Sequence, residues 1–220
     1  MKKVLFCLPG KEYSGNFLKC WTNLLAACLQ KGIIAHISQH HSPVVYFVRN
    51  MCLGGDYSYG VKQEPFQGKL DYDYIMWIDS DILFTPENFF SLLEHDKDIV
   101  SGLYMMADNR HYAVSEDWSD DKKIQNGEYE FITREKLAEK DGLFKVAYSG
   151  LGWMLVKKGV FESLEYPWFR PMWTEITDGD KIIKDFASED ATFCKMVAEK
   201  GFDVWVDPKV VVGHEKKMIL

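Results

Sequence analysis

Residues 74–81 read Y-I-M-W-I-D-S-D, from Tyr74 to Asp81, and this stretch decides how the rest of the chain is read. Its first part is apolar at every position, not at alternate ones, and it stops at an acid. A short continuous apolar run of this kind is a strand buried on both faces. In open α/β sheets, ligands bind beyond the carboxyl ends of the strands. Asp79 and Asp81 are therefore expected at a binding cleft. Two carboxylates beside a buried strand are costly unless a cation or hydrogen-bond donors meet them. D-x-D triplets also occur at Asp71/Asp73, Asp96/Asp98 and Asp178/Asp180, but only Asp79/Asp81 directly follows such a run. The competing reading is a solvated turn, with Asp79 or Asp81 accepting backbone N–H bonds.

Outward from this strand the chain alternates strand and helix patterns. Residues 3–8 form a first buried strand closed by Pro9 and Gly10. Ser14 caps a helix running to Lys31, with Phe17, Leu18, Trp21, Leu24, Leu25 and Cys28 at helical spacing. A second strand covers 33–38 and a second helix 43–53, with Arg49 and Asn50 inside an otherwise apolar helix. Thr85 caps a helix to His95, with Pro86 at its first position. A strand follows at 98–104. Residues 107–142 lose periodicity and read as an irregular insertion with one short helix at 134–140. Strand, turn and strand resume over 146–156 around Ser149, Gly150, Leu151 and Gly152. A short helix at 158–164, a loop at 167–180, a helix at 189–200 and strands at 202–206 and 210–212 complete the reading. Such alternation predicts a mostly parallel α/β sheet flanked by helices. It fits one domain over 1–220, dividing into a first half to about 105 and a second half after it.

The formal net charge of −7 makes nucleic acid a poor partner. An acidic protein that binds phosphates needs local positive charge, which a divalent cation held by carboxylates supplies. The five cysteines (Cys7, Cys20, Cys28, Cys52, Cys194) are odd in number and form no C-x-x-C, a pattern of reduced thiols in a cytosol-like compartment. The apolar run near Met1 is too short for a signal-peptide core, and no run approaches a membrane span. A cytoplasmic location is expected.

A strand of the form hhhhDxD, about a third of the way along a Rossmann-like chain, resembles the metal site of GT-A glycosyltransferases. The resemblance implies the GT-A fold and transfer of a sugar from a nucleotide-sugar donor, a UDP-hexose before a GDP-sugar. Asp79 would bond the donor ribose, with Ser80 beside it. Asp81, with Asp79, would hold Mn²⁺ or Mg²⁺ at the donor phosphates. Ser188-Glu189-Asp190 reads as a helix start, with Ser188 as cap and acids in the first turn. It also resembles the x-E-D element of inverting GT-A enzymes. There Asp190 would take the acceptor proton and Glu189 would orient the acceptor or the loop.

His214, after the last strand, matches a late histidine metal ligand of the family, and imidazole favours Mn²⁺ over Mg²⁺. Lys216 or Lys217 would add charge to the departing diphosphate. The family's nucleobase corner maps to Leu8, Pro9 and Gly10, with Tyr13 nearby. Arg49 is expected near base or phosphate. Gly150, Gly152 and Trp153 are expected to line the donor sugar, and Trp168 and Trp173 are further stacking candidates.

The order D-x-D, glycine turn, E-D and histidine spans 3–214. It is also similar to a glycosyltransferase domain of large algal DNA viruses, whose family glycosylates capsid protein. That likeness implies a glycan or glycoprotein acceptor and, for a viral chain, the host cytoplasm. Three rivals remain: a haloacid-dehalogenase-like phosphohydrolase with Asp79 as nucleophile, a nucleotidyltransferase making sugar nucleotides, and a non-catalytic nucleotide-sugar-binding module.

Overall fold

The computed structural model describes residues 1–126 and 129–216. In chain order it contains β1 (Lys3–Pro9), α1 (Gly15–Gln30), β2 (Ile34–His40), α2 (Val45–Cys52), β3 (Tyr74–Ile78), β4 (Ile82–Leu83), α3 (Pro86–Glu94) and β5 (Ile99–Leu103). The second half adds β6 (Val114–Ser115), α4 (Asp120–Asn126), α5 (Arg134–Ala138), β7 (Phe144–Val146), β8 (Tyr148–Ser149) and β9 (Trp153–Lys157). It ends with β10 (Met172–Asp178), β11 (Lys181–Ala187), α6 (Glu189–Glu199), β12 (Val204–Val211) and β13 (Gly213–His214).

Seven strands make the central sheet, in the order β2-β1-β3-β9-β5-β12-β7. β1 pairs parallel with β2 and β3, and β5 pairs parallel with β12, while β9 runs antiparallel between β3 and β5 and β7 runs antiparallel on the β12 edge. The sheet is therefore mostly parallel, as the alternation predicts. β3 carries the argument that began with its sequence: all five of its residues are buried. Ile75 and Trp77 enter one core cluster with Phe161, Phe169 and Phe193, and Tyr74, Met76 and Ile78 enter the other with Phe6 and Phe89. Fully burying an aliphatic or aromatic side chain contributes roughly 1.5–3 kcal/mol, which fixes this strand, and the acids at its end, in depth and register.

Helix starts follow the expected chemistry. Ser14 accepts from the Phe17 N–H, and Thr85 forms a capping box with Asn88, with Pro86 in the first turn. Three readings are corrected. The helix expected at 158–164 is only a 3₁₀ turn at Phe161–Ser163. Residues 167–180, read as a loop, contain β10 of an antiparallel hairpin whose strands pair from Met172↔Ala187 to Asp178↔Lys181. Gly179 makes its turn at φ +58°, a left-handed conformation that glycine adopts without steric cost. The two terminal strands are one, β12, with a shift of register between Val206 and Val211.

Candidate active site

The loop after β3 is held from three sides. The Asp79 N–H donates to the Gly152 carbonyl at 3.0 Å, and the Ile82 N–H to the Asp79 carbonyl at 3.1 Å. β13 pairs with β4, His214 opposite Ile82, and the Glu215 N–H donates to the Asp81 carbonyl at 2.7 Å. Residues far apart in sequence thus meet beyond the strand end. Gly10 permits the closest approach, because a Cβ there would lie 2.7 Å from the Ser80 Cβ. Pro9, Gly10, Ser42, Val45, Asp79 and Ser80 are among the walls of a cleft of about 250 Å³, and Tyr13, Ser14, Asp81 and Lys216 border a second one of about 480 Å³. Ser80 and Asp81 line both. Leu8 is buried and its carbonyl accepts from the Tyr13 hydroxyl at 2.7 Å, so only Pro9 and Gly10 of the expected base corner line a cleft.

Asp81 and His214 form an arrangement that calls for a cation. His214 Nδ1 lies 2.6 Å from the Met105 carbonyl, which can only accept, so Nδ1 carries a proton. Nε2 lies 3.1 Å from Asp81 Oδ2. In a neutral imidazole both of those atoms are acceptors, and only a proton or a metal ion between them makes the contact favourable. Asp81's own shift agrees: burial pushes its carboxyl up, but hydrogen bonds from His214 and Lys216 and their charge outweigh burial and hold it at about 2. The Asp81 hydrogen bond, against some loss from burial, raises the His214 value above 6.5.

A metal ion fits the pair. A histidine ligand characteristically donates its other ring N–H to a carbonyl, which fixes the tautomer. Two oxygen or nitrogen ligands at about 2.1 Å from one octahedral ion sit about 3 Å apart. Lys216 Nζ, 2.9 Å from Asp81 Oδ2, adds positive charge at the mouth of the cleft. Lys217 lies outside the described residues. Among the described residues no group of three or more His, Cys, Asp and Glu side chains is suited to a metal, so phosphate oxygens and water would have to complete the shell.

Asp79, expected as a second ligand, is turned elsewhere. Its Oδ2 accepts from Arg49 Nη2 at 3.1 Å, and Oδ1 is buried without a partner. Arg49 Nε donates to Glu189 Oε1, also at 3.1 Å. The Arg49 side chain is 4% exposed, and its guanidinium carbon lies 5.5 Å from the Trp77 ring centre. Arg49 is thus a clamp between the end of β3 and the start of α6. Its Nη1 is buried and unpartnered. Burial raises the Glu189 carboxyl above its ordinary value, with Arg49 opposing that shift. Glu189 faces this clamp.

Asp190, next in the chain, is half-buried and held by donors. Tyr148 donates its hydroxyl to Oδ2 at 2.7 Å, the Ala191 N–H donates to Oδ1 at 2.8 Å, and Ser188 Oγ also donates to Oδ1. Ser188 occupies the N-cap position but makes no side-chain cap bond, because its hydroxyl serves Asp190 instead. A carboxylate oriented this way keeps lone-pair capacity on Oδ2 to accept one more proton from outside.

The glycine turn serves a residue that the sequence reading passed over. A Cβ on Gly150 would lie 2.0 Å from the Tyr104 hydroxyl oxygen, and one on Gly152 3.0 Å from the ring. The glycines make room for Tyr104, whose hydroxyl accepts from the Gly152 N–H at 3.3 Å and whose ring meets His214 edge-on at 5.2 Å. Burial, then the charges of Asp79 and Asp190, raise the Tyr104 hydroxyl well above its ordinary value. The small residues at 150 and 152 were its only sequence signal. Trp153 is 0% exposed and stacks on Phe84 in the core, so it does not border a sugar, and Trp168 is equally buried. Trp173 is 55% exposed.

The sequence matches no protein-family model. No curated protein matches it in sequence. Solved structures do match in shape. A197 from STIV superposes with a TM-score of 0.53 at 15% identity, over 100% of this chain and 97% of that one. The catalytic domain of Drosophila β1,4-galactosyltransferase 7, in complex with xylobiose, gives 0.52 at 15% identity over 99% and 72%. GalNAc-T7 with UDP, GalNAc and Mn²⁺ gives 0.50 at 10% identity, covering 99% of this chain and 44% of that one. The chain has the GT-A glycosyltransferase fold.

Proposed function

We propose that this GT-A chain is a metal-dependent glycosyltransferase that moves a hexose from a UDP-sugar to a hydroxyl of a glycan or glycoprotein, with inversion at the anomeric carbon. The observation that carries the reading is the apposition of Asp81 and His214 beyond the end of β3, with Oδ2 and Nε2 3.1 Å apart and Lys216 beside them. The crystal structure of GalNAc-T7 that shares the fold contains UDP and Mn²⁺, which supports a donor of the same class here. A viral capsid glycan, implied by the sequence resemblance, belongs to the same proposal as the acceptor.

Asp81 and His214 would hold Mn²⁺ or Mg²⁺, which when bound supplies positive charge to the leaving diphosphate. Asp79 would meet the ribose from the clamp. The acceptor oxygen attacks the anomeric carbon and the carbon–oxygen bond to the diphosphate breaks. The bonding pair leaves with the diphosphate, Lys216 lies near the developing charge, and the acceptor proton passes to Asp190 Oδ2. Tyr148, Ser188 and the Ala191 N–H hold Asp190 in one orientation for that transfer. Among the described residues no helix is long and apolar enough to cross a membrane.

The test is a screen of radiolabelled nucleotide sugars for release of free sugar or transfer to added glycans, with Mn²⁺, for wild type and Asp190→Asn. Turnover by wild type, reduced about 10²–10⁴-fold in the variant without loss of UDP affinity, is expected of a general base. Equal turnover by the two proteins removes Asp190 from the chemistry.

A further inference from the structure

A cavity of about 520 Å³ lies between α6 and the β10–β11 hairpin, a size typical of small-molecule sites. Trp118, Tyr129, Trp173 and Phe202 supply aromatic walls, and Thr174 and Lys195 hydrogen-bonding groups. Helix α6 opens the floor by presenting Ala191 and Ala198 to it. Ala187 lines it too, and with Ala191 it brackets the Ser188–Asp190 turn. The cavity wall is therefore continuous along the chain with the turn that carries the proposed base.

A pile of rings ties the cavity wall to that base. Trp118 stacks on Tyr129 at 3.7 Å and 12°, and on Tyr148 at 4.2 Å and 17°. Both contacts are close and nearly parallel, so the two tyrosines take opposite faces of the indole. Tyr148 is the residue that donates to Asp190. Its ring is held by the wall of the cavity and its hydroxyl holds the carboxylate. At the rim, Trp173 and Phe186 are cross-strand neighbours in edge contact at 4.4 Å, and they are 55% and 63% exposed.

The lining chooses the ligand. A pyranose has apolar C–H faces that pack on aromatic rings and a rim of hydroxyls that take hydrogen bonds in its plane. Aromatic walls mixed with hydroxyl, ammonium and carboxylate groups suit both features. A lipid chain would meet Thr174, Glu175 and Lys195 without making a hydrogen bond to any of them, whereas Thr174 and Glu175 are already placed by the Asp185 carbonyl and Lys184. We infer that this cavity binds an oligosaccharide, the part of the acceptor beyond the sugar that reacts at Asp190. The inference rests on the glycosyltransferase reading and narrows its acceptor to a preformed glycan of two or more residues, excluding a bare protein side chain.

The experiment displays labelled full-length protein, with UDP and Mn²⁺, on an array of defined mono- and oligosaccharides, for wild type and Trp173→Ala. UDP affinity of both is measured by calorimetry. Trp173 is half exposed, so its truncation leaves the core intact, and a melting curve checks this. Retention of a set of oligosaccharides but no monosaccharide, with signal lost about tenfold or more in the variant and UDP affinity unaltered, is the expected result. Two outcomes overturn it: oligosaccharide binding undiminished in the variant, or UDP binding with no glycan retained. If UDP fails to bind while the variant still loses oligosaccharides, the transferase reading falls and the cavity stands as a carbohydrate site.

Discussion

Arg49→Met tests the clamp that joins the two halves of the site. Methionine keeps much of the side chain's length but leaves Asp79 and Glu189 without their cation. The Glu189 side chain is 9% exposed and that of Asp79 29% exposed, so water can replace Arg49 for Asp79 but hardly for Glu189. Removing one partner of a buried pair costs roughly 3–5 kcal/mol, and the half-open side of this one places the loss near the lower end, about 3 kcal/mol. For a chain of this size that lowers Tm by roughly 6–12 °C.

The pH dependence has a definite sign. Burial raises Glu189 above its ordinary value while Arg49 opposes the shift, so its loss raises that carboxyl further. A folded state that holds a proton more tightly than the unfolded chain is favoured most at low pH and loses that advantage as pH rises through the folded value. The Tm deficit of the variant is therefore smaller at about pH 5 than at about pH 8. Adding Glu189→Gln recovers part of it, since a neutral amide costs less to bury than an unpaired carboxylate. Scanning calorimetry at the two pH values is the assay. A variant that melts with wild type at the higher pH, or a deficit that ignores pH, refutes the clamp.

Mn²⁺ affinity in the presence of UDP should fall with pH, because a proton on His214 Nε2 competes with the ion. The Asp81 hydrogen bond raises His214 above 6.5, so the decline begins above that value and steepens towards about tenfold per pH unit below it. His214→Ala should bind weakly and lose most of that slope; an unchanged slope in a titration series removes His214 from the metal. Gly150→Ala puts a methyl 2.0 Å from the Tyr104 hydroxyl oxygen and should cost about 2 kcal/mol in a urea titration. An unmoved midpoint would mean that Tyr104 swings aside freely.

The local grammar of the chain carried far into the structure. Tyr74–Ile78 is the buried strand its unbroken apolar run predicts, and the caps at Ser14 and Thr85 are made by the expected atoms. The β10–β11 hairpin is equally local: Asp178 and Lys181 pair across the two-residue turn Gly179-Asp180, a hairpin signal between runs that carry several β-branched residues. The order of D-x-D, glycines, E-D and histidine matches the fold, yet the partners of those residues are not local. Arg49 and Glu189 stand 140 positions apart, and Asp81 and His214 are 133 apart. No periodicity predicts such pairings, since they depend on which strand ends lie side by side. Trp153 was misassigned for the same reason. A tryptophan after a glycine turn reads as accessible until β9 is seen wedged between β3 and β5.

The central claim is a nucleotide site completed by a metal at Asp81 and His214. Calorimetric titration of UDP and GDP, with and without Mn²⁺, into wild type and Asp81→Ala tests it most directly. The account predicts that UDP binds tightly only with Mn²⁺ and that Asp81→Ala abolishes the metal requirement together with most of the affinity. Binding of neither nucleotide, or binding indifferent to both Mn²⁺ and Asp81, contradicts it.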